Sequence, residues 1–128
     1  MPATAITNTT IAKYNTGAEF KLNAATVDTA NTAEEFAFTP TGKPNKVVFG
    51  FQVANTHGSV SIKFSRSPGV FGANNLTIEC PQNKTTVVQI EHGRFVQADG
   101  TIAITATPAE GKKLKSDHAL NIFAVELI

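Results

Sequence analysis

At 128 residues the chain has room for one hydrophobic core and not two. Its 11 Lys and Arg against 10 Asp and Glu leave a formal charge of +1, too little to drive binding to nucleic acid or to acidic membranes. A lone Cys80 excludes an internal disulfide, no segment is apolar over the length of a membrane span, and the first eight residues carry no basic or apolar signal region, so the composition predicts a soluble protein made in a cytoplasm.

Residues 1–10 are polar and rich in Thr. They read as an extended N-terminal arm whose Thr4, Ile6 and Thr7 are placed to add a strand to a neighbour's sheet edge. Asn15-Thr16-Gly17 is a turn signal, and Glu19 to Leu22 alternates weakly, with Phe20 and Leu22 facing inward. The Ala24 to Glu35 stretch fits a long loop or a short helix. Glu34 and Glu35, on opposite sides of an extended chain, are wrongly placed for a cooperating acid and base and read as a solvated strand entry. Phe36 and Phe38 share one face before Pro40 and Gly42 end the run.

Val47 to Val53 is apolar on both faces, as a strand in the middle of a sheet requires. From Ser59 to Ser65 the alternation is clean, with Val60, Ile62 and Phe64 inward. The loop from Gly69 to Asn75 holds two apolar residues, Val70 and Phe71, that either contact a partner or tuck back under the fold as a plug. Cys80, at the end of an apolar strand, is expected as a small buried hydrophobe. Asp99-Gly100, between Arg94-Phe95-Val96-Gln97 and Thr101-Ile102-Ala103-Ile104, predicts a two-residue hairpin. Beyond the Pro108 to Gly111 turn, Lys112, Lys113 and Lys115 form the one basic run, a solvated loop or an anion- or partner-binding patch. Leu120 to Leu127 is again apolar on both faces and favours strand over helix, because Ile, Phe and Val are poor helix formers and a cap is missing. Together these segments predict an all-β, single-domain antiparallel β-sandwich, Ig-like or jelly-roll-like, of about eight or nine strands.

Nothing in the spacing of reactive residues points to catalysis. His57, His92 and His118 are far apart, without the i, i+4 spacing of helical metal ligands, and read as solvated groups at turns. There is no G-x-S-x-G elbow, no P-loop and no G-x-G-x-x-G. No catalytic residue, metal or cofactor is therefore expected. A sugar-binding platform would draw on exposed Trp and Tyr, and the chain has no Trp and only Tyr14, while its nine Phe fall mostly on inward faces.

The run Thr85 to Ile104 resembles a pattern in small phage head-decoration (capsid cement) proteins: an apolar strand, an Arg-Phe-x-Gln-x-Asp-Gly hairpin at Arg94 to Gly100, and an alternating strand. A final apolar strand, here Ile122 to Leu127, ends the pattern. The upstream Val47 to Val53, Asn55-Thr56 and Val60 to Phe64 fit in outline, whereas the polar Ala18 to Glu35 segment departs from it. The resemblance implies a non-enzymatic virion structural protein that binds the major capsid protein on the outer capsid surface and stabilises the head, with self-association, for instance as a trimer, as a further partner. Within the Arg94 to Gly100 run, Phe95 is expected in the core, Asp99-Gly100 in the turn and Arg94 outside or paired with an acid, a structural role favoured over a capsid contact. The alternatives are a carbohydrate-binding or host-attachment module of a phage fibre or tail, and a small hydrolase.

Overall fold

Period-two alternation needs two apolar faces to meet, and the chain satisfies it by folding into two facing sheets. The computed structural model describes residues 3–11, 15–19, 21–41, 47–68 and 74–127. The strands are β1 (Thr4–Ala5), β2 (Asn8–Ile11), β3 (Asn23–Ala24), β4 (Glu34–Phe38), β5 (Val47–Val53), β6 (Val60–Phe64), β7 (Leu76–Cys80), β8 (Lys84–Gln89), β9 (Ile102–Thr107) and β10 (Asn121–Leu127). A single helical turn, α1 (His92–Phe95), sits between β8 and β9. One sheet runs β1-β4-β9-β6-β7; the other runs β2-β10-β5-β8, with β3 also pairing with β10. No helix among the described residues is long and apolar enough to cross a membrane.

The inward rows interlock between the layers. Phe36 and Phe38 of β4, Val60, Ile62 and Phe64 of β6, and Ile102, Ile104 and Ala106 of β9 face Val47, Phe49, Phe51 and Val53 of β5 and Ile122 and Ala124 of β10 in one core cluster. Edge-to-face ring contacts run through it: Phe38 to Phe49 at 5.1 Å, Phe49 to Phe64 at 5.4 Å and Phe64 to Phe51 at 5.9 Å between centroids. Cys80 is fully buried, as expected, and burial pushes its thiol pKa up. The doubly apolar runs β5 and β10 do lie at the middle of their sheet. There Phe123 lies across Gly50, its register partner, so closely that a Cβ on Gly50 would stand 2.0 Å from the ring.

Several expectations change. The sheets are mixed rather than purely antiparallel, because β1 pairs parallel with β4 and β2 parallel with β10. Those two pairings also mean that the N-terminal segment is bound within its own chain instead of waiting for a neighbour. Its backbone steps from one layer to the other, and Ile6, midway, enters the core. Ala24 to Ala33 is mostly irregular, and Leu22 points outward at 53% exposure, since too few apolar residues accompany it to hold a strand there. The Asp99-Gly100 reversal is a three-residue loop: the Gly100 N–H donates to Gln97 O at 2.9 Å, the Gln97 N–H to Thr101 O at 2.8 Å, and Gly100 takes φ +86°. The incoming limb is α1 followed by a single bridge, Val96 to Ile102, not a strand. The expectations for Phe20, Gly42, Val70 and Phe71 lie outside the described residues.

Candidate binding surface

Most polar side chains that might have carried chemistry instead fasten one part of the chain to another. Glu34 was expected in solvent and is 3% exposed. Its carboxylate accepts from the Thr26 N–H at 2.8 Å, the Val27 N–H at 2.9 Å, the Thr26 hydroxyl at 3.1 Å and the Thr4 hydroxyl at 2.9 Å. A buried carboxylate is tolerated when hydrogen bonds replace its hydration, and these four join β1, β4 and the irregular segment between β3 and β4. Glu126, wholly buried in β10, accepts from the Thr41 N–H at 3.1 Å, the Thr41 hydroxyl at 2.7 Å and the Asn8 amide. A single carboxylate inside an otherwise apolar strand was a legible sign of a buried acid. Its partners, 85 and 118 residues away, were not.

The histidines divide. His92 and His118 are buried, contrary to expectation, while His57 is exposed. His118 Nε2 accepts the Ala109 N–H at 3.2 Å, and its backbone N–H and C=O bind Lys113 O and the Ala54 N–H. Burial holds its pKa below the ordinary 6.5; Asp117 opposes this, and His57 and Lys112 add to it. His92, in α1, has no hydrogen-bond partner on either ring nitrogen among the described residues. Burial lowers its pKa too, against the pull of Glu126. Among the described residues, no three of His, Cys, Asp and Glu gather closely enough to hold a metal ion.

The backbone of the basic run is tied down. The Lys115 N–H donates to Val27 O, the Asn31 N–H to Lys112 O, the Gly111 N–H to Asn31 Oδ1, and the Lys113 N–H to Asp117 Oδ2. The Ser116 hydroxyl donates to Asp28 at 2.6 Å, and this bond, with Lys113 and Lys115 close by, keeps the Asp28 carboxyl below its ordinary pKa. Lys115 is exposed and Lys112 and Lys113 half-buried, with Asp28 and Asp117 nearby. The structure does not bring this loop together with the other expected contact residues: Thr4 is spent on Glu34, Ile6 is buried, and the Thr7 N–H donates to Asn23 Oδ1.

The Arg94 to Gly100 run serves the framework in the manner expected. Phe95 enters the core and meets Phe64 edge-to-face, with ring centroids 6.1 Å apart. Arg94 stays outside, 2.8 Å from Glu91. Gln97 Nε2 donates to the carbonyls of Ser65, Arg66 and Phe95, and Asp99 Oδ1 accepts from the Thr101 N–H and hydroxyl, which lowers the Asp99 pKa.

What is left for binding is broad and shallow. The outer face of the β4–β9 layer carries Ala37, Thr101, Ala103 and Thr105 along a groove of about 310 Å³, with Glu35 and Asp99 at its margins. Beside it, a second depression of about 290 Å³ is bounded by Thr26, Ala33, Glu34 and Glu35. In the other layer β8 is an edge strand among the described residues, and Val87 stands 62% exposed. No protein family, curated protein or solved structure matches the chain.

Proposed function

We propose that the chain is a non-enzymatic structural protein of a phage particle, decorating and stabilising the outer surface of the head by binding the major capsid protein. The observation that carries the reading is the resemblance over Thr85 to Ile104 and Ile122 to Leu127. The fold gives that pattern a physical reason to recur: Phe95 anchors the link between the layers, Gln97 fastens it to three carbonyls, Asp99 and Gly100 make the reversal, and β10 fills the middle of a sheet. Shallow faces of short side chains suit contact with a large flat surface, where many weak contacts and several copies add avidity.

The test uses virions of the phage that encodes the chain. Peptides of the chain are expected at high copy number on purified heads, and heads made without it should lose DNA at lower temperature and regain resistance when the purified protein is added, with saturation. Heads that carry no copies and resist heat equally well overturn the proposal. A specific, competable signal on a glycan array moves the protein to the attachment-module reading instead.

A further inference from the structure

Each sheet edge offers unpaired backbone N–H and C=O groups, and soluble proteins protect such edges by shortness, charge, proline or a covering segment. Three of the four edges are protected. β1 is two residues long and β2 four, while β7 carries Glu79 on its outward row. β8 differs. It is six residues long, pairs among the described strands with β5 alone, and after Lys84 continues as Thr85-Thr86-Val87-Val88-Gln89, with neither charge nor proline. Thr and Val favour extended backbone, so this edge is preformed as a template. Val87, at its centre, is the most exposed large apolar side chain among the described residues. Beside it, Val88 and, across the layers, Leu76 and Ile78 of β7 pack on the core while remaining half-exposed.

We infer that the β8 edge is a self-association surface: two copies pair β8 with β8 antiparallel about a two-fold axis through Val87, joining their β2-β10-β5-β8 sheets into one. The segment is complementary to itself in that register. Val87 meets Val87 of the second copy, Thr86 meets Val88, and Thr85 meets Gln89, so that residues of one face always meet residues of the same face. Charge fits as well. The two Lys84 side chains fall at opposite ends of the paired strands, about 20 Å apart along the strand direction, so they do not oppose each other, and each lies beside Ile90 of the other copy, next to the exposed Glu91–Arg94 ion pair. With a net charge of +1, the copies do not repel as wholes. An isologous contact of this kind closes on itself and yields dimers, not fibres or trimers. Because one strand edge buries less than a standard interface, the dimer is a weak one, with a Kd of roughly 10–100 μM.

This inference goes beyond the decoration reading and is tested on the free full-length protein, so either can fail alone. Sedimentation velocity from about 5 μM to about 1 mM is expected to show a reversible monomer–dimer equilibrium around that Kd. Val87→Lys places like charges opposite each other on the axis and should weaken dimerisation at least ~10-fold. Val87 is largely exposed, so its far-UV circular dichroism and melting should be unchanged. As a second reading, Val87→Cys should form a disulfide-linked dimer on mild oxidation, while Thr77→Cys on β7 stays monomeric under the same conditions. A protein still monomeric at about 1 mM, a trimer, a Val87→Lys variant that dimerises as well as the parent, or equal cross-linking of the two cysteine variants overturns the inference.

Discussion

Glu34 draws four donors from two separated stretches of chain onto one buried carboxylate, so its contribution lies in the bonds its loss would remove. Glu34→Ala removes the acceptor of four hydrogen bonds, from the Thr26 and Val27 amides and the Thr4 and Thr26 hydroxyls, and with bonds to a carboxylate worth more than neutral ones the variant should lose about 2–4 kcal/mol in all. Urea unfolding should show this as a lower midpoint at unchanged m-value, with Glu34→Gln falling between. Near neutral pH the two buried histidines contribute a pH dependence. Both are held below 6.5 in the folded chain, so the unfolded chain takes up protons first as the pH falls. Their contribution is therefore fully present above about pH 6.5, declines as the pH drops below it, and levels off once the native values are passed. Thermal melts from pH 8 to pH 5 should follow that course. His92→Leu, replacing a ring without hydrogen bonds, should flatten the decline without lowering stability at pH 8, and a steeper decline in that variant would contradict the assignment. Phe95 and Cys80, by contrast, were legible in the sequence, because an apolar residue in an apolar run has one sensible place. The burial of Glu34 depends on loop amides that no local pattern announces.

Strands were legible in proportion to how much alternation they carry. β6 alternates over its whole length and appears where expected, and β5 and β10, apolar on both faces, lie inside their sheet. β1, β2 and β3 are two to four residues long and are held by backbone pairing to strands far along the chain, so no period of their own marks them. α1 is one turn, too short for a helical period, and it displaced the expected limb of a hairpin because Phe95 reaches the core from there. Gly50 and Phe123 show a pairing that only the assembled sheet reveals. The ring covers the glycine on the face of the sheet away from the main core, so Gly50→Ala forces the ring to move and should cost about 1–3 kcal/mol. The double-mutant cycle with Phe123→Ala isolates the contact: in that background the Gly50→Ala penalty should largely vanish, and additive penalties would place the strain in the backbone instead.

At the scale of the whole molecule, residues 3–11 act as a clasp. β1 joins one layer and β2 the other, Ile6 between them is buried, Thr4 completes the shell around Glu34, and Asn8 and Thr9 are fixed against β10. Burial of an Ile side chain contributes about 1.5–3 kcal/mol, the hydrogen bonds of Thr4 and Asn8 roughly 1 kcal/mol each or more because their acceptors are charged, and the parallel ladder to β10 adds further bonds. Set against a typical domain stability of about 5–15 kcal/mol, losses of that size consume much of the margin. Deleting residues 1–11 should therefore lower the melting temperature by more than about 10 °C, or leave a chain with strand content but without fixed packing. Ile6→Ala alone should cost about 2–4 kcal/mol. An arm reserved for a neighbouring subunit predicts the opposite, namely a truncated monomer as stable as the intact one and defective only in assembly. Calorimetry on the two chains at equal concentration decides between them: a truncated chain melting within a few degrees of the parent would return the segment to the role that its polar, Thr-rich sequence first suggested.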